Sequence, residues 1–219
     1  MSFDDAEERA HYAEVQKAFR DYTPYMMLEV ARRERHAALL SADHKARLPQ
    51  GCMEDKIENL KEAVRLNQAF LSQVVDAGSN FGPSTKNTAP PRNTGLSAER
   101  HMSKIKSTLH QCSREWAAEA APERAQSFGP IIAELCRLLP ITKENIDRQR
   151  VLVPGAGLGR LALEIAGRGY ACQGNEFSYF MLETSNFLLN CVEKPSSIEI
   201  APWIDQPSNV VATSQVLRH

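Results

Sequence analysis

The first three quarters of the chain repeat apolar positions at steps of three and four, the period of an amphipathic helix. Tyr12, Val15, Phe19 and Tyr22 form the first stripe, and Pro24 is expected to break it. A longer charged helix is predicted to about Leu48, where Pro49 and Gly51 stop it. The next helix, residues 53–76, carries Ile57, Leu60, Val64, Leu71 and Val74 on one face. Residues 78–95 are rich in Gly, Pro, Ser, Thr and Asn with little to bury, which reads as a flexible surface loop or linker. Ser97 is then placed to cap a helix through about residue 119, with Glu99 and Arg100 in its first turn. Its apolar seam is Met102, Ile105, Leu109, Cys112 and Trp116, and a shorter helix over residues 122–139 ends before Pro140. No internal repeat is present.

The pattern changes at residue 150. Val151, Leu152 and Val153 read as a short buried strand feeding a glycine-rich turn, Gly155-Ala156-Gly157-Leu158-Gly159. A helix follows with Leu158, Leu161, Ile165 and Ala166 on one side, then a second strand over residues 171–175. That strand ends at a lone carboxylate, Glu176, 21 positions after Gly155. A strand-turn-helix-strand unit with an acid at this distance is suited to hold a nucleoside. Glycines let the backbone approach the ligand, and the acid accepts hydrogen bonds from ribose hydroxyls. Ser178 is placed to cap one more helix to about residue 191, rich in Phe180, Met181, Leu182, Phe187 and Leu188. A strand over residues 197–203 and a polar loop complete the pattern. Nucleoside-binding α/β sheets generally use two or three further strand–helix units, so the chain reads as the first part of such a sheet, truncated at its C-terminal end.

Composition alters this picture little. The 219 residues are 42% hydrophobic and 24% charged, as in ordinary globular proteins. A formal net charge of -1 gives no electrostatic case for nucleic acid or an anionic membrane as partner. No apolar stretch approaches the roughly 20 residues that span a bilayer, and the acidic opening residues are unlike a secretory signal or transit peptide. Five scattered cysteines without a C-x-x-C pair suit free thiols in a reducing compartment. The histidines show no H-x-x-H or H-E-x-x-H spacing, so no metal site is expected. The run from Arg32 to Arg35 is a mixed-charge solvated helix face.

The spacing of the turn helps to choose the nucleoside. A dinucleotide fingerprint needs a small residue at the sixth position, and Arg160 stands there. No G-K-[ST] follows, which disfavours a P-loop. A G-x-G-x-G turn that serves a nucleoside without a diphosphate points to S-adenosylmethionine. Around it, Gln111 and Arg114 lie opposite the apolar seam on a wheel of about 100° per residue, so the residues alone put them on a solvated polar face. Glu176 also fits an ordinary strand-end carboxylate. Asn175 and Ser178 suit turn and cap, Tyr179 and Phe180 suit a core, and His110 suits the surface.

Taken together, the stretches Pro154-Gly155-Ala156-Gly157-Leu158-Gly159-Arg160-Leu161 and Gly169-Tyr170-Ala171-Cys172-Gln173-Gly174-Asn175-Glu176-Phe177-Ser178 closely resemble the carnosine N-methyltransferase family. The resemblance continues through Met181-Leu182, Ser185-Asn186-Phe187, Asn190 and Pro202-Trp203-Ile204, and reaches back to Ala18-Phe19-Arg20-Asp21-Tyr22 and residues 107–116. It implies an α/β protein: an N-terminal helical region followed by the first part of a Rossmann-like class I methyltransferase sheet, incomplete at the C-terminus. Its divisions would be a helical region over 1–77, a flexible loop over 78–96, helices over 97–149 leading into the core, and a partial cofactor-binding domain over 150–219.

The implied activity is transfer of a methyl group from S-adenosylmethionine to the imidazole of carnosine or a related histidine-containing dipeptide. The implied cofactor residues are Gln111, Arg114, Gly155 and Glu176. Pro154 stands where most class I methyltransferases carry an acid, and Arg114 suits the cofactor's carboxylate instead. No catalytic residue is named, because the family's substrate-holding residues lie beyond His219. The truncated chain is expected to be weakly active or inactive, in the cytoplasm and with the nucleus as a second location, with homodimerisation left open. Two other readings remain: a non-catalytic helical interaction or dimerisation module, and a nicotinamide-dependent oxidoreductase, which Arg160 disfavours.

Overall fold

The structure is a computed structural model that describes residues 6–47, 52–78, 97, 99–195, 197–204 and 217–218. The predicted break before Pro24 comes three residues earlier. Helix α1 (Ala6–Arg20) gives way at Asp21 to α2 (Tyr22–Ala38), and Pro24 sits in the first turn of α2. A proline is tolerated there because a first-turn N–H has no helical acceptor. Asp21 instead serves as an anchor. Its carboxylate pairs with Lys17 and accepts the backbone N–H and the hydroxyl of Ser97, each at 2.8 Å. Ser97, expected to cap the next helix, therefore donates its hydroxyl to the α1–α2 junction.

The single helix predicted to Leu48 is divided. After α2 ends, Ser41 caps the short α3 (Ala42–Ala46), its hydroxyl accepting from His44 N at 3.2 Å. Pro49 and Gly51 lie outside the described residues, as does nearly all of the glycine- and proline-rich stretch. Helix α4 (Cys52–Gly78) matches its predicted face, with Val64, Leu71 and Val74 buried. Helices α5 (Glu99–Trp116) and α6 (Ala121–Leu138) follow, then β1 (Arg150–Pro154), α7 (Arg160–Ala166), β2 (Ala171–Asn175), α8 (Tyr179–Asn190), β3 (Glu199–Ile200) and β4 (Leu217–Arg218). The protein is thus a mixed helical fold with a small parallel sheet. Strands β1 and β2 pair in parallel with Val151 opposite Cys172 and Val153 opposite Gly174. Parallel pairing needs a crossover, which α7 supplies. In the tail, only residues 199–200 of the predicted strand are extended, paired antiparallel with β4 in the stretch read as polar loop.

Two hydrophobic clusters organise these elements. The larger joins α1, α2, α4, α5 and α8, with Ile198, Ile200 and Ile204 of the tail. Edge-on aromatic pairs knit it, Phe19–Phe180 at 5.4 Å and Phe70–Phe187 at 5.8 Å between centroids. The smaller lies between α6, α7 and one face of the strand pair, around Ile132, Val153, Ile165 and Tyr170. Leu158, expected to share a helical side with Leu161 and Ile165, precedes α7 and is buried in the larger cluster. The glycine turn therefore sits at the seam of the two. The opposite sheet face is open, with Leu152 56% exposed.

Two buried polar groups fix how the tail and α8 dock on the helices. Asn67 of α4 donates to the Tyr22 hydroxyl (2.8 Å) and the Ala201 carbonyl (3.0 Å), and its own oxygen accepts from Ala201 N (2.8 Å). Glu183 of α8 is fully buried and accepts from Gln16 Nε2 at 2.6 and 2.5 Å; Gln16 also donates to Tyr12, whose hydroxyl donates to the Gly78 carbonyl. Burial pushes the Glu183 carboxyl above the usual carboxylate range, and hydrogen bonds from Tyr12 and Gln16 and the charge of Arg20 pull it partly back.

Replacing Asn67 by Ala leaves the Ala201 amide, its carbonyl and the Tyr22 hydroxyl without this partner, so urea denaturation should show a loss of about 2 kcal/mol or more. For Glu183, the folded state holds the proton more tightly than the unfolded chain. Its contribution is therefore fully present below the ordinary carboxylate value and is lost as pH rises through the raised one. Thermal melts across that window should show wild type losing stability relative to Glu183→Gln as pH rises from the ordinary carboxylate value through the raised one.

Candidate functional site

The turn between β1 and α7 is built on left-handed backbone: φ is +61° at Gly155, +56° at Gly157 and +80° at Gly159. Side-chain-bearing residues disfavour this region by roughly 1–2 kcal/mol each, which accounts for the glycine spacing. The glycines differ in surroundings. A Cβ on Gly155 would meet nothing within 4 Å, whereas one on Gly157 would lie 2.7 Å from Glu115 Oε1. Gly155 thus leaves an open approach to the backbone, and Gly157 admits a neighbouring carboxylate. The turn and α7 pack closely on β2, where a Cβ on Gly174 would stand 2.8 Å from the Ala156 Cβ and 3.7 Å from the Ala162 Cβ. Arg160 is accommodated by turning outward, with its guanidinium 5.2 Å from the centre of the Trp116 ring and Nε 3.0 Å from Glu164.

Two carboxylates take up the N–H groups of this turn. Glu176, at the end of β2, accepts from Gly157 N through Oε2 (3.0 Å) and from Phe177 N and Ser178 N through Oε1 (2.8 Å each). Ser178 does occupy the N-cap position of α8, but its side chain makes no capping bond. Glu115, in the last turn of α5, accepts from Leu158 N (3.5 Å) and Gln111 Nε2 (2.5 Å) through Oε1 and from Arg160 N (3.3 Å) through Oε2. Since α7 begins at a glycine without a side-chain cap, Glu115 supplies the acceptor. Only 6% of Glu115 is exposed. Burial raises its carboxyl, while hydrogen bonds from Gln111, Arg160 N and Leu158 N and the charge of Arg114 oppose the rise.

Of the residues singled out from the sequence, Gly155, Glu176 and Gln111 come together here. Gln111 leaves the polar face assigned by the helical wheel: it is half-buried, and its Nε2 comes within 3.9 Å of a Cβ built on Gly157. Arg114 points elsewhere. Its guanidinium is exposed and forms a two-pronged contact with Glu123, at 2.6 and 2.8 Å. His110, read as a surface residue, is half-buried and stacks on Trp203, 4.4 Å between centroids at 17°. The Asn67 bonds to Ala201 fix the backbone just before that tryptophan. Tyr179 and Phe180 lie in or against the core, as expected. Glu115 was missed. A carboxylate in the last turn of a helix opposes the helix dipole, and that disfavoured placement, one turn after Gln111, was the available signal.

The sequence model described as carnosine N-methyltransferase matches residues 91–219. The chain belongs to the carnosine N-methyltransferase family. Among curated relatives of that name, the Rattus norvegicus protein is 38% identical over 208 residues, covering 92% of this chain and 50% of the relative. The Schizosaccharomyces pombe protein is 36% identical over 228 residues, covering the whole of this chain and 58% of the relative. The Dictyostelium discoideum protein is 40% identical over 189 residues, covering 82% of this chain and 40% of the relative. The chain thus spans about half the length of the curated relatives it matches. The alanines, glycines and carboxylates of the turn fall within the part matched by the family model.

The unequal surroundings of the glycines give a direct test. Gly155→Ala should lose only the backbone preference, about 1–2 kcal/mol. Gly157→Ala should lose more, because its methyl group also displaces Glu115. In Glu115→Ala that excess should vanish, a coupling readable by a double-mutant cycle of denaturation midpoints.

Proposed function

We propose that this chain carries the cofactor-binding portion of an S-adenosylmethionine-dependent N-methyltransferase whose acceptor is the imidazole of carnosine or a related histidine-containing peptide. The observation that carries the reading is the convergence of the open side of Gly155, the Glu176 carboxylate and Gln111 at the ends of a parallel strand pair. Family membership supports the same reaction class. The strand pair is read as the opening of a Rossmann-like sheet, with residues 150–219 as a partial cofactor domain and residues 1–77 as its helical buttress. The face at Leu152 is exposed, as the open face of such a sheet would be.

The residues present fit the cofactor. A carboxylate offers about four lone-pair sites, and Glu176 spends three on backbone N–H groups, so capacity remains for a ribose hydroxyl. Gly155 lets the ligand approach the main chain. Arg114 could receive the cofactor's carboxylate only by leaving Glu123. A pair so exposed on both sides is worth at most about 1 kcal/mol, so the exchange is cheap. When bound, the cofactor supplies a sulfonium methyl group as electrophile. The protein's task is then to orient a neutral imidazole nitrogen toward it and exclude water.

Isothermal titration tests this. S-adenosylmethionine should bind the chain, Glu176→Ala should weaken binding about tenfold or more, and NAD should give no heat. The chain alone should methylate carnosine at or near background. Failure of S-adenosylmethionine to bind, or equal affinity in the Glu176 variant, would overturn the reading.

A further inference from the structure

The side chain behind Gln111 determines which end of its amide can meet a ligand. Glu115 is a carboxylate whose oxygens both face N–H donors: Gln111 Nε2 and Leu158 N at Oε1, Arg160 N at Oε2. An ionised carboxylate only accepts hydrogen bonds, so the nitrogen end of Gln111 must face it. The Gln111 oxygen is left without a hydrogen bond among the described residues. The side chain is half-buried, and its nitrogen end reaches the glycine turn, 3.9 Å from a Cβ built on Gly157. In this arrangement the amide nitrogen of Gln111 is turned to Glu115 and its oxygen remains as an acceptor. Its complement is a donor, and a charged N–H donor suits best an acceptor already polarised by a negative neighbour.

The turn itself lacks an acid at this end, since Pro154 precedes the first glycine. A zwitterionic amino-acid group entering the turn would need an acceptor for its ammonium, and Glu176 has three of its lone pairs committed to backbone N–H groups and the remaining capacity assigned above to a ribose hydroxyl. We propose that Glu115 is a positioning residue: it clamps the glycine turn and fixes Gln111 with its oxygen outward, so that Gln111 receives the α-ammonium group of the cofactor's amino-acid end. This assignment rests on the S-adenosylmethionine reading above and adds to it the polarity of one contact and the residue that imposes it. Glu115 acts through Gln111 and touches no ligand.

A Gln at position 115 presents an oxygen and a nitrogen, so it no longer dictates the orientation of Gln111. The test compares two thioethers by titration into the full chain: S-adenosylhomocysteine, which has the amino-acid end, and methylthioadenosine, which lacks it. Glu115→Gln should weaken S-adenosylhomocysteine about tenfold or more, the scale of a charge-assisted hydrogen bond, and leave methylthioadenosine within about threefold. Gln111→Leu, which keeps Glu115 and removes the acceptor, should give the same selective loss and serves if the Glu115 variant melts early. A purely structural clamp would weaken both ligands alike, and that result, or no change in either, overturns the proposal. Should the unsubstituted chain bind neither thioether nor S-adenosylmethionine, the cofactor reading itself falls. Binding of both by wild type with no selectivity in the variants removes only the roles of Glu115 and Gln111 toward the ammonium group.

Discussion

The reach of Glu115 from the last turn of α5 to the amides of Leu158 and Arg160 ties the helical part of the molecule to the strand pair. The left-handed turn leaves the N–H groups of Gly157, Leu158 and Arg160 to side-chain acceptors, and buried donors must be matched. Here one acid is local, Glu176 on β2, and the other arrives from a separate helix. The two carboxylates hold neighbouring amides of the turn, Gly157 on Glu176 and Leu158 on Glu115. Gly157 must lack a side chain for this to be possible, so backbone conformation and electrostatics impose the same residue at that position.

Packing makes this contact hard to move. Leu158 is buried in the helical cluster, whereas Val153 before it and Ile165 after it belong to the sheet-side cluster. The turn is therefore anchored in one cluster and its flanking strand and helix in the other, so it cannot shift without opening one of these contacts. The tail adds a second tie. Asn67 holds the backbone at Ala201, and the following Trp203 lies against His110, the residue before Gln111. Helix α4, distant in sequence from the glycine turn, in this way bears on the helix that lines it.

Much of the fold was legible beforehand, and the reason differs by element. Both strands and the glycine turn were readable because apolar runs, glycine spacing and a terminal acid are local properties. The apolar seam of α5 was readable because periodicity reports which face is buried. Local rules failed where a partner came from elsewhere. The break expected at Pro24 falls three residues earlier, at Asp21, because a proline fits the first turn of α2. Ser97 looked like a cap but is drawn to Asp21. Ser178 takes the cap position, yet Glu176 meets its amide. For Ser97 a carboxylate placed by the fold takes the hydroxyl, whereas for Ser178 the neighbouring Glu176 meets the amide in place of a hydroxyl cap.

By itself the sequence determined the strand-turn-helix-strand unit, its glycine turn, its acid and its family, since each rests on neighbouring residues and their spacing. It could not determine which side chains of α5 face that turn. A wheel separates apolar from polar faces, but it does not say which polar positions meet solvent and which meet another backbone. The tertiary structure decided this: Gln111 and Glu115 turn to the glycine loop, and Arg114, one residue from Glu115, turns to Glu123. The physical reason is that amides of a left-handed turn require acceptors. Only the packed fold brings a carboxylate from a distant helix close enough to provide them.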